Sequence, residues 1–191
     1  MARVSPAAPE QFAQVADVME RWRKTKGYPP NSWLTMARRP DVLRAYRALH
    51  TAVMMDEGEV PKALKFMVAH LVSRAAGDSY SAAHNAENAA HIAGVPLEKI
   101  KALPRFVASP LFTPAERAAL ALAHAAGACP PAVSDAHFAE LRKHCSENAI
   151  IEIVSVIALL GWLNRWNLTL ATPLEAEAAA FARRHLEGGT A

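Results

Sequence analysis

Cysteine is scarce in this chain of 191 residues. Only Cys129 and Cys145 are present, and they form no Cys-x-x-Cys pair. Structural zinc sites and disulfide frameworks need several cysteines at short, recurring spacings. The sequence therefore excludes both classes and predicts that the two thiols are reduced and buried.

Long uninterrupted apolar runs are also missing. The longest, residues 149–163, is broken by Glu152 and is too short to span a bilayer, so we expect a buried core helix. The opening MARVSPAAPEQF has no apolar export signal. Hydrophobic residues make up 52% of the chain and charged residues 20%, which excludes disorder. The predicted protein is cytoplasmic and does not contact a membrane.

Nucleic acid is not a predicted partner. The formal net charge is only +3, although arginine and lysine are dense between Arg21 and Arg47. Aromatic RNA-binding signatures and a sustained basic helix face, which would indicate nucleic-acid binding, are absent from the sequence.

Strictly alternating polar and apolar residues, the pattern of a strand, do not occur, whereas helix start and stop signals are frequent. Apolar residues at helical spacing follow Pro9, Pro40 and Pro61, and Gly77 is suited to a helix end. The sequence predicts an all-α bundle of about eight helices. Predicted helices include Pro9 to Lys26, Pro61 to Gly77, Asp78 to Gly94, Thr113 to Gly127, one capped by Ser134, one from Ser146 through Trp166, and Pro173 to Leu186. Residues 1–30 are predicted to be an N-terminal helical arm and 31–191 the main domain.

An unusually polar helix is predicted in GDSYSAAHNAENAAH, residues 77–91. Tyr80, His84, Glu87 and His91 recur at helical spacing and share one face. Such a face indicates either a pocket or an exposed surface, because buried polar groups need partners. Directly after a glycine, Asp78 is expected to cap the helix and to stay ionised beside the positive end of the helix dipole.

Four side chains of this helix are the candidate catalytic residues, and the first of them, Asp78, is predicted to orient His84 or to hold a cationic group. His84 can accept and return a proton near neutral pH, although a buried structural histidine is an equally good interpretation. Tyr80 is predicted to donate a hydrogen bond to a substrate oxygen or to the imidazole, and otherwise packs as an aromatic residue. Ser81 lies three residues before His84, a spacing that permits contact. The alternative for Ser81 is an ordinary first-turn residue.

Residues outside this helix are predicted to bind the substrate. Glu152 lies in the apolar run AIIEIVSVIALL and should face either a cation such as Arg165 or a pocket. His70, on the preceding helix, is predicted to contribute with them. A metal site at His84, Glu87 and His91 is an alternative, but the spacing matches no standard zinc motif. No cofactor is predicted.

Several longer motifs occur in order between about residues 33 and 177. They are VAHLVSRAAGDSYSAAH, IAGVPLEKIKAL, SPLFTPAERAALALA, VSDAHFAELRKHCSENAIIEIVSVIALLGWLNRWN and TPLE. This series resembles the alkylhydroperoxidase D-like and carboxymuconolactone decarboxylase-like superfamily. The resemblance implies an alkylhydroperoxidase D-like helical bundle over residues 31–191. It also implies a homo-oligomer, as a dimer, trimer or hexamer, and a small-molecule substrate.

The resemblance also implies what this chain has lost. Redox members carry Cys-x-x-Cys and a nearby histidine at a helix start, and the subgroup most like this chain reads C-R-Y-C-Q-A-H. When this sequence is aligned with that motif without gaps, Asp78 and Ser81 occupy the two cysteine positions, while Tyr80 and His84 are retained. Some members place a relay glutamate about twelve residues earlier, where this chain has Phe66. Thiol peroxidase chemistry at this site is therefore not expected.

Decarboxylase members work without thiols, but their Tyr-Glu-Trp is replaced here by Tyr80-Ser81-Ala82. The first prediction is a non-redox enzyme of lyase, isomerase or hydrolase type. It would catalyse proton transfer, decarboxylation or ring opening of a small acid or lactone. The residues that would carry this reaction are His84, Tyr80, Ser81 and Asp78. The alternatives are a non-catalytic oligomeric homologue of a peroxidase-related protein and the metal-binding protein described above.

Overall fold

The computed structural model of the chain describes residues 2–186, apart from the side chains at positions 21, 25 and 26. Within that part every regular element is helical, which confirms the all-α prediction, and eleven α-helices replace the eight expected. The last five residues of the predicted domain, 187–191, lie outside the described residues. The helices are α1 Pro9–Ala13, α2 Ala16–Lys26, α3 Asn31–Met36, α4 Pro40–His50, α5 Lys62–Ala75, α6 Ser79–His91, α7 Leu97–Ala102, α8 Pro114–Gly127, α9 Asp135–Leu141, α10 Glu147–Leu170 and α11 Ala176–His185.

The N-terminal arm contains two helices where one was predicted. Val15 has φ −128° and ψ 20°, outside the helical region, so α1 ends and α2 begins around it. Val15 and Met19 are buried, and the backbone N–H of Ala7 donates to the carbonyl of Leu34 across 2.8 Å. The arm thus contacts the following helices, while the division of the chain at residue 30 stays a prediction.

The centre of the bundle is α5, which packs against α6, α8 and α10. Its apolar residues Phe66, Met67 and Val68 are buried on all sides. Gly127 at the end of α8 permits this packing, because a Cβ atom there would lie 2.4 Å from the carbonyl oxygen of Val72. The site described below is built on α6, which follows α5 after a single tight turn.

Several predicted helix boundaries are confirmed. The Thr113 hydroxyl accepts from the Glu116 amide, and the Glu116 carboxylate accepts from the Thr113 amide, which completes a capping box. The Ser146 hydroxyl caps α10 by accepting from the Ala149 amide. Gly77 adopts φ +78° between α5 and α6, a conformation that glycine reaches without the strain a side chain would impose.

The long helix α10 differs from its prediction in length and burial. It continues past Trp166 to Leu170, and only the face that includes Ile153 and Val156 is buried. Its other face exposes apolar residues, among them Ile151 and Trp162. By length and composition alone α10 is apolar enough to cross a membrane. It packs against α5, α6 and α8 as a core helix of the bundle.

An irregular turn interrupts the chain between α4 and α5. Directly after His50, residues Thr51–Met55 form a π-helical turn that packs against α5 and α10. Such turns are rare and occur frequently at functional sites. The turn places Met54 in the protein interior beside α10.

Candidate active site

Asp78 begins α6 as the predicted cap. Its Oδ1 accepts from the Ser81 amide at 3.2 Å, and its Oδ2 accepts from Asn167 Nδ2 at 3.3 Å. Both partners are neutral, and the side chain is buried. Burial therefore raises the pKa of Asp78 against the opposing effect of these hydrogen bonds. The helix dipole does not lower this pKa below its ordinary value, because desolvation is the larger effect, and the ionised state of Asp78 stays a prediction.

Ser81 belongs to the same small network. Asn167 Nδ2 donates to Ser81 Oγ at 3.0 Å, so one amide group holds both Asp78 and Ser81. Within the described residues, Ser81 makes no hydrogen bond to His84. The sequence spacing permitted a serine and histidine pair, but the structure does not form one.

His84 and Tyr80 instead share a partner that the sequence analysis missed. His84 Nε2 lies 2.6 Å from Glu175 Oε2, and the Tyr80 hydroxyl donates to Glu175 Oε1 at 2.8 Å. The backbone amide of Asn31 also donates to Glu175 Oε1. Glu175 is only 9% exposed and directly precedes α11. The role expected of Asp78, orienting His84, therefore falls to Glu175.

The charges in this cluster follow from its hydrogen bonds. Burial acts to raise the pKa of Glu175, but the hydrogen bonds from His84, Asn31 and Tyr80 outweigh it, so the pKa lies below its ordinary value. Burial, together with the charge of Glu175, raises the pKa of Tyr80 well above its ordinary value. Glu175 is thus the ionised acceptor and Tyr80 the neutral donor. An ionised carboxylate only accepts, so His84 carries a hydrogen on Nε2 and turns Nδ1 away from Glu175.

A cavity of about 50 Å³ lies against this cluster. Tyr80, Ser81 and His84 supply part of its polar wall, whereas Asp78 does not reach it. Most of the remaining wall is apolar or aromatic, from residues Trp22, Trp33, Tyr46, Met54, Leu160 and Leu163. Of the four predicted catalytic residues, the structure therefore brings three to one cavity.

The three predicted substrate-binding residues do not line that cavity. His70 is buried on the other side of α6, where its Nδ1 donates to the carbonyl of Ala82 at 2.8 Å. Burial lowers the pKa of His70 to about 4, so the ring is neutral near pH 7. Arg165 is exposed on α10.

Glu152 faces a cation, as predicted, but that cation is Lys65 and not Arg165. Lys65, only 3% exposed, places Nζ 3.3 Å from Glu152 Oε2. The same carboxylate accepts from the backbone amides of Glu59 and Val60 at 2.8 and 3.1 Å. Arg165 lies 13 residues further along the same helix, roughly 20 Å away at 1.5 Å per residue. Glu152 thus holds the segment before α5 in place.

Metal binding at His84, Glu87 and His91 gains no support from the geometry. Within residues 2–186, no group of three histidine, cysteine or acidic side chains is arranged to hold an ion. Glu87 lies 3.9 Å from His91 Nδ1, whereas His84 pairs with Glu175.

The cysteines do not reach the cavity either. Cys129 is exposed after α8, so the prediction that it is buried is wrong. Cys145 lies between α9 and α10 and is partly buried. Burial, together with the charge of Glu59, raises the pKa of its thiol. Neither sulfur lies at the wall formed by Tyr80 and His84.

Comparison with known sequences places this site in a family context. Residues 40–125 match the model of the carboxymuconolactone decarboxylase family. Tyr80 and His84 lie inside the matched segment, and Glu175 lies outside it. The protein YnjA of Escherichia coli (strain K12) is 35% identical over 78 residues, which are 41% of this chain and 43% of that protein.

Solved structures match nearly the whole chain. The debrominase Bmp8 is 34% identical with a TM-score of 0.86, and the match covers 94% of this chain and 96% of Bmp8. A cysteine-to-alanine variant of that debrominase, crystallised with 2,3,4-tribromopyrrole, matches equally well. A peroxidase-related protein with an alkylhydroperoxidase AhpD core, from Ralstonia eutropha JMP134, is 26% identical with a TM-score of 0.76 and 95% coverage of both chains.

Proposed function

The chain belongs to the alkylhydroperoxidase D-like and carboxymuconolactone decarboxylase-like superfamily, and from that premise we propose that it is a non-redox enzyme of small acids or lactones. The observation that carries the proposal is the buried pair of His84 Nε2 and Glu175 Oε2, 2.6 Å apart beside the cavity. A histidine held by a buried carboxylate is an arrangement suited to acid and base catalysis.

In this proposal His84 Nδ1 removes a proton from the substrate and later returns it to the product. Glu175 holds the ring by accepting from Nε2–H and stabilises the imidazolium formed when Nδ1 gains the proton. Tyr80 fixes the other carboxylate oxygen of Glu175 at 2.8 Å and packs its ring against His84, with the ring centroids 4.7 Å apart. The proton gained by His84 equals the proton lost by the substrate, so no external oxidant or reductant is required.

The non-redox part of the proposal rests on the fact that neither cysteine of the chain, Cys129 nor Cys145, lines the cavity. Asp78 and Ser81 occupy the positions that the family resemblance assigns to the redox cysteines, and Asn167 binds both. An aspartate and a serine form neither a disulfide nor a sulfenic acid. A debromination that used a thiol of the cavity would have no thiol to use here.

The class of substrate is a small planar molecule. Trp33 and Tyr46 provide flat apolar surface in the cavity wall. The similar debrominase was crystallised, as a variant, with 2,3,4-tribromopyrrole, a five-membered ring. Both observations support a five- or six-membered ring as the part of the substrate next to His84.

Two probes test proton transfer directly. In D₂O, α-angelica lactone loses a proton next to its carbonyl and gains a deuteron in its place. Pyrrole-2-carboxylate gains a deuteron on a ring carbon from the deuterated His84 imidazolium and then loses either the ring proton or CO₂. Proton NMR should show that the wild-type protein accelerates at least one reaction, and that His84→Gln lowers the rate about 100-fold or more. His124→Gln, which alters an exposed histidine of α8, is the matched control and should retain the wild-type rate.

The non-catalytic alternative makes the opposite prediction. If the wild-type protein accelerates neither reaction more than His84→Gln does, the proton-transfer proposal fails and the non-catalytic homologue replaces it. The homo-oligomer and the cytoplasmic location stay predictions, and light scattering on the purified protein measures the number of copies.

A further inference from the structure

The cavity at His84 adjoins a second, larger cavity. This outer cleft has a volume of about 550 Å³ and shares three lining residues with the inner cavity: Trp22, His50 and Asn88. We call these three residues the junction. Trp22 comes from α2, His50 from the end of α4, and Asn88 from the same helix as His84, one turn further along.

The two volumes indicate that a ring would extend through the junction. An apolar cavity of roughly 150 Å³ accommodates one benzene ring. The inner cavity, at about 50 Å³, is too small for a ring of that size. A planar substrate at His84 would therefore extend beyond the inner cavity, and the shared residues place the junction and the outer cleft next to it.

The junction carries polar atoms that lack partners. Trp22 Nε1 and Asn88 Oδ1 are buried and have no hydrogen-bond partner within the described part of the chain. Buried polar atoms are usually paired, and an unpaired donor and acceptor beside a cavity indicate a ligand that supplies the missing partners. Trp22 offers an N–H donor, and Asn88 offers a carbonyl acceptor.

His50 adds a second donor. Arg47 Nη1 lies 3.1 Å from His50 Nδ1, and because a guanidinium only donates, Nδ1 is the acceptor. Burial and the charge of Arg47 lower the pKa of His50 to about 3, so the ring is neutral. The single ring hydrogen is consequently on Nε2. His50 also directly precedes the π-helical turn Thr51–Met55, which contributes side chains to both cavities.

The charges around the junction are mixed. The Arg47 guanidinium lies 5.7 Å from the ring centre of Trp22 and 4.4 Å from that of Trp33. Asp17 and Asp56 line the outer cleft, and Asp17 is bound by Arg44 through two hydrogen bonds. The Arg47 guanidinium therefore lies next to the Trp22 side chain of the junction. Of the two aspartates, Asp17 already has its charge balanced by Arg44.

We propose that the junction binds the carboxylate of a planar ring acid, with Trp22 Nε1 and His50 Nε2 donating to the carboxylate and Asn88 Oδ1 accepting from a ring N–H. The ring then extends toward His84. This inference rests on the proposed function for its reaction, because it names the substrate class of the same site. Binding itself requires no turnover.

Calorimetric titration with three probes tests the junction: pyrrole-2-carboxylate, furan-2-carboxylate and pyrrole. Wild-type protein should bind pyrrole-2-carboxylate about 100-fold more tightly than pyrrole, the effect of two hydrogen bonds to a charged group at about tenfold each. Trp22→Phe removes the indole N–H, so it should lower the affinity for both acids about tenfold and leave pyrrole unaffected. Trp166→Phe is the matched control, because Trp166 Nε1 is also buried without a partner among the described residues, and Trp166 lines neither cavity.

Asn88→Ala provides a second, independent test. It should abolish the preference for pyrrole-2-carboxylate over furan-2-carboxylate, because only the pyrrole ring has an N–H for Asn88 to accept. The inference is overturned if wild-type protein binds neither acid. It is equally overturned if Trp22→Phe and Trp166→Phe have the same effect on acid binding, or if Asn88→Ala leaves the preference intact.

The binding data also separate this inference from the proposed function. His84→Gln should still bind pyrrole-2-carboxylate while losing proton exchange. Intact acid binding without any exchange contradicts only the proposed function. Exchange on α-angelica lactone without any acid binding contradicts only the carboxylate site.

Discussion

Asp78 and Glu175 are two buried carboxylates that contact the same helix, α6, and their pKa values shift in opposite directions. Asp78 accepts from an amide N–H and a carboxamide, and its pKa is raised. Glu175 accepts from a histidine, a tyrosine and an amide N–H, and its pKa is lowered. Burial opposes ionisation at both sites, so the partners decide the outcome.

The difference shows what a buried carboxylate needs in order to stay charged. Neutral donors offset part of the cost of leaving water, whereas a histidine that can carry a proton offsets it further. Glu175 is therefore suited to support a charge that appears on His84 during a reaction. Asp78 is suited to hold the start of α6, the position that the family resemblance assigns to a reactive cysteine.

The largest expected effect comes from removing the Glu175 carboxylate. Glu175→Ala leaves His84, Tyr80 and the Asn31 amide without their acceptor in a buried site. Because each buried unsatisfied group costs about 1–3 kcal/mol, we expect the free energy of unfolding to fall by about 3 kcal/mol. Urea denaturation measures it. Glu177→Ala, on an exposed position of α11, is the control and should change stability by less than about 0.5 kcal/mol.

Lys65 and Glu152 extend the comparison to a third carboxylate. Burial raises the pKa of Glu152, but the amides of Glu59 and Val60 and the Lys65 ammonium lower it more. Lys65→Met removes the cation while the amides remain, so we expect a loss of about 2 kcal/mol, less than for a fully buried pair. Denaturant unfolding at neutral pH measures the change, with the exposed Lys62→Met as control. An unchanged midpoint would contradict a stabilising role for this pair.

The pH dependence of unfolding distinguishes Glu175 from Asp78. The pKa of Glu175 is lower in the folded protein than its unfolded value of about 4.5. Ionised Glu175 therefore stabilises the fold at pH values above about 4.5, and this stabilisation is lost as the pH falls through the folded pKa. The advantage of wild type over Glu175→Gln should therefore be full at pH 7 and shrink below about pH 4.5. Thermal unfolding between pH 7 and pH 3 measures it. An advantage that is constant over this range would show that Glu175 is not preferentially ionised in the fold.

The smallest effect is expected for Asp78→Asn. With a raised folded pKa, ionised Asp78 costs stability at neutral pH, and the cost is relieved as pH falls through that pKa. Asparagine can still cap α6. If the Asn167 carboxamide turns over, the new amide can donate to Asn167 Oδ1, which is buried and has no partner within residues 2–186. The variant should match wild type within about 0.5 kcal/mol at pH 7 or exceed it. A large loss of stability at pH 7 would contradict this assignment.

Local signals in the sequence predicted much of the fold. Thr113 with Glu116, Ser146 and Gly77 mark helix boundaries by interactions that span only a few residues. The eight-helix estimate was too low because the kink at Val15 and the short α3 and α7 have weak periodic patterns.

Long-range partners could not be predicted in the same way. Glu175 is 91 positions from His84, and its only signal is its place in TPLE at the start of the last helix. The apolar run around Glu152 likewise indicated that this carboxylate needs a cation or a pocket, but its position on the helix does not reveal which neighbouring helix supplies the partner. His50 and Trp22 were missed because a histidine and a tryptophan on amphipathic helices resemble ordinary packing residues.

The most direct test of the central claim, that His84 and Glu175 form the reactive pair, is the tautomer of the His84 imidazole. Long-range ¹H–¹⁵N NMR at a pH where the ring is neutral should show the hydrogen on Nε2 in wild type and in Asp78→Asn. In Glu175→Gln, the preference for Nε2 should weaken or disappear. A wild-type ring protonated on Nδ1, or a preference altered by Asp78→Asn and not by Glu175→Gln, would contradict the account.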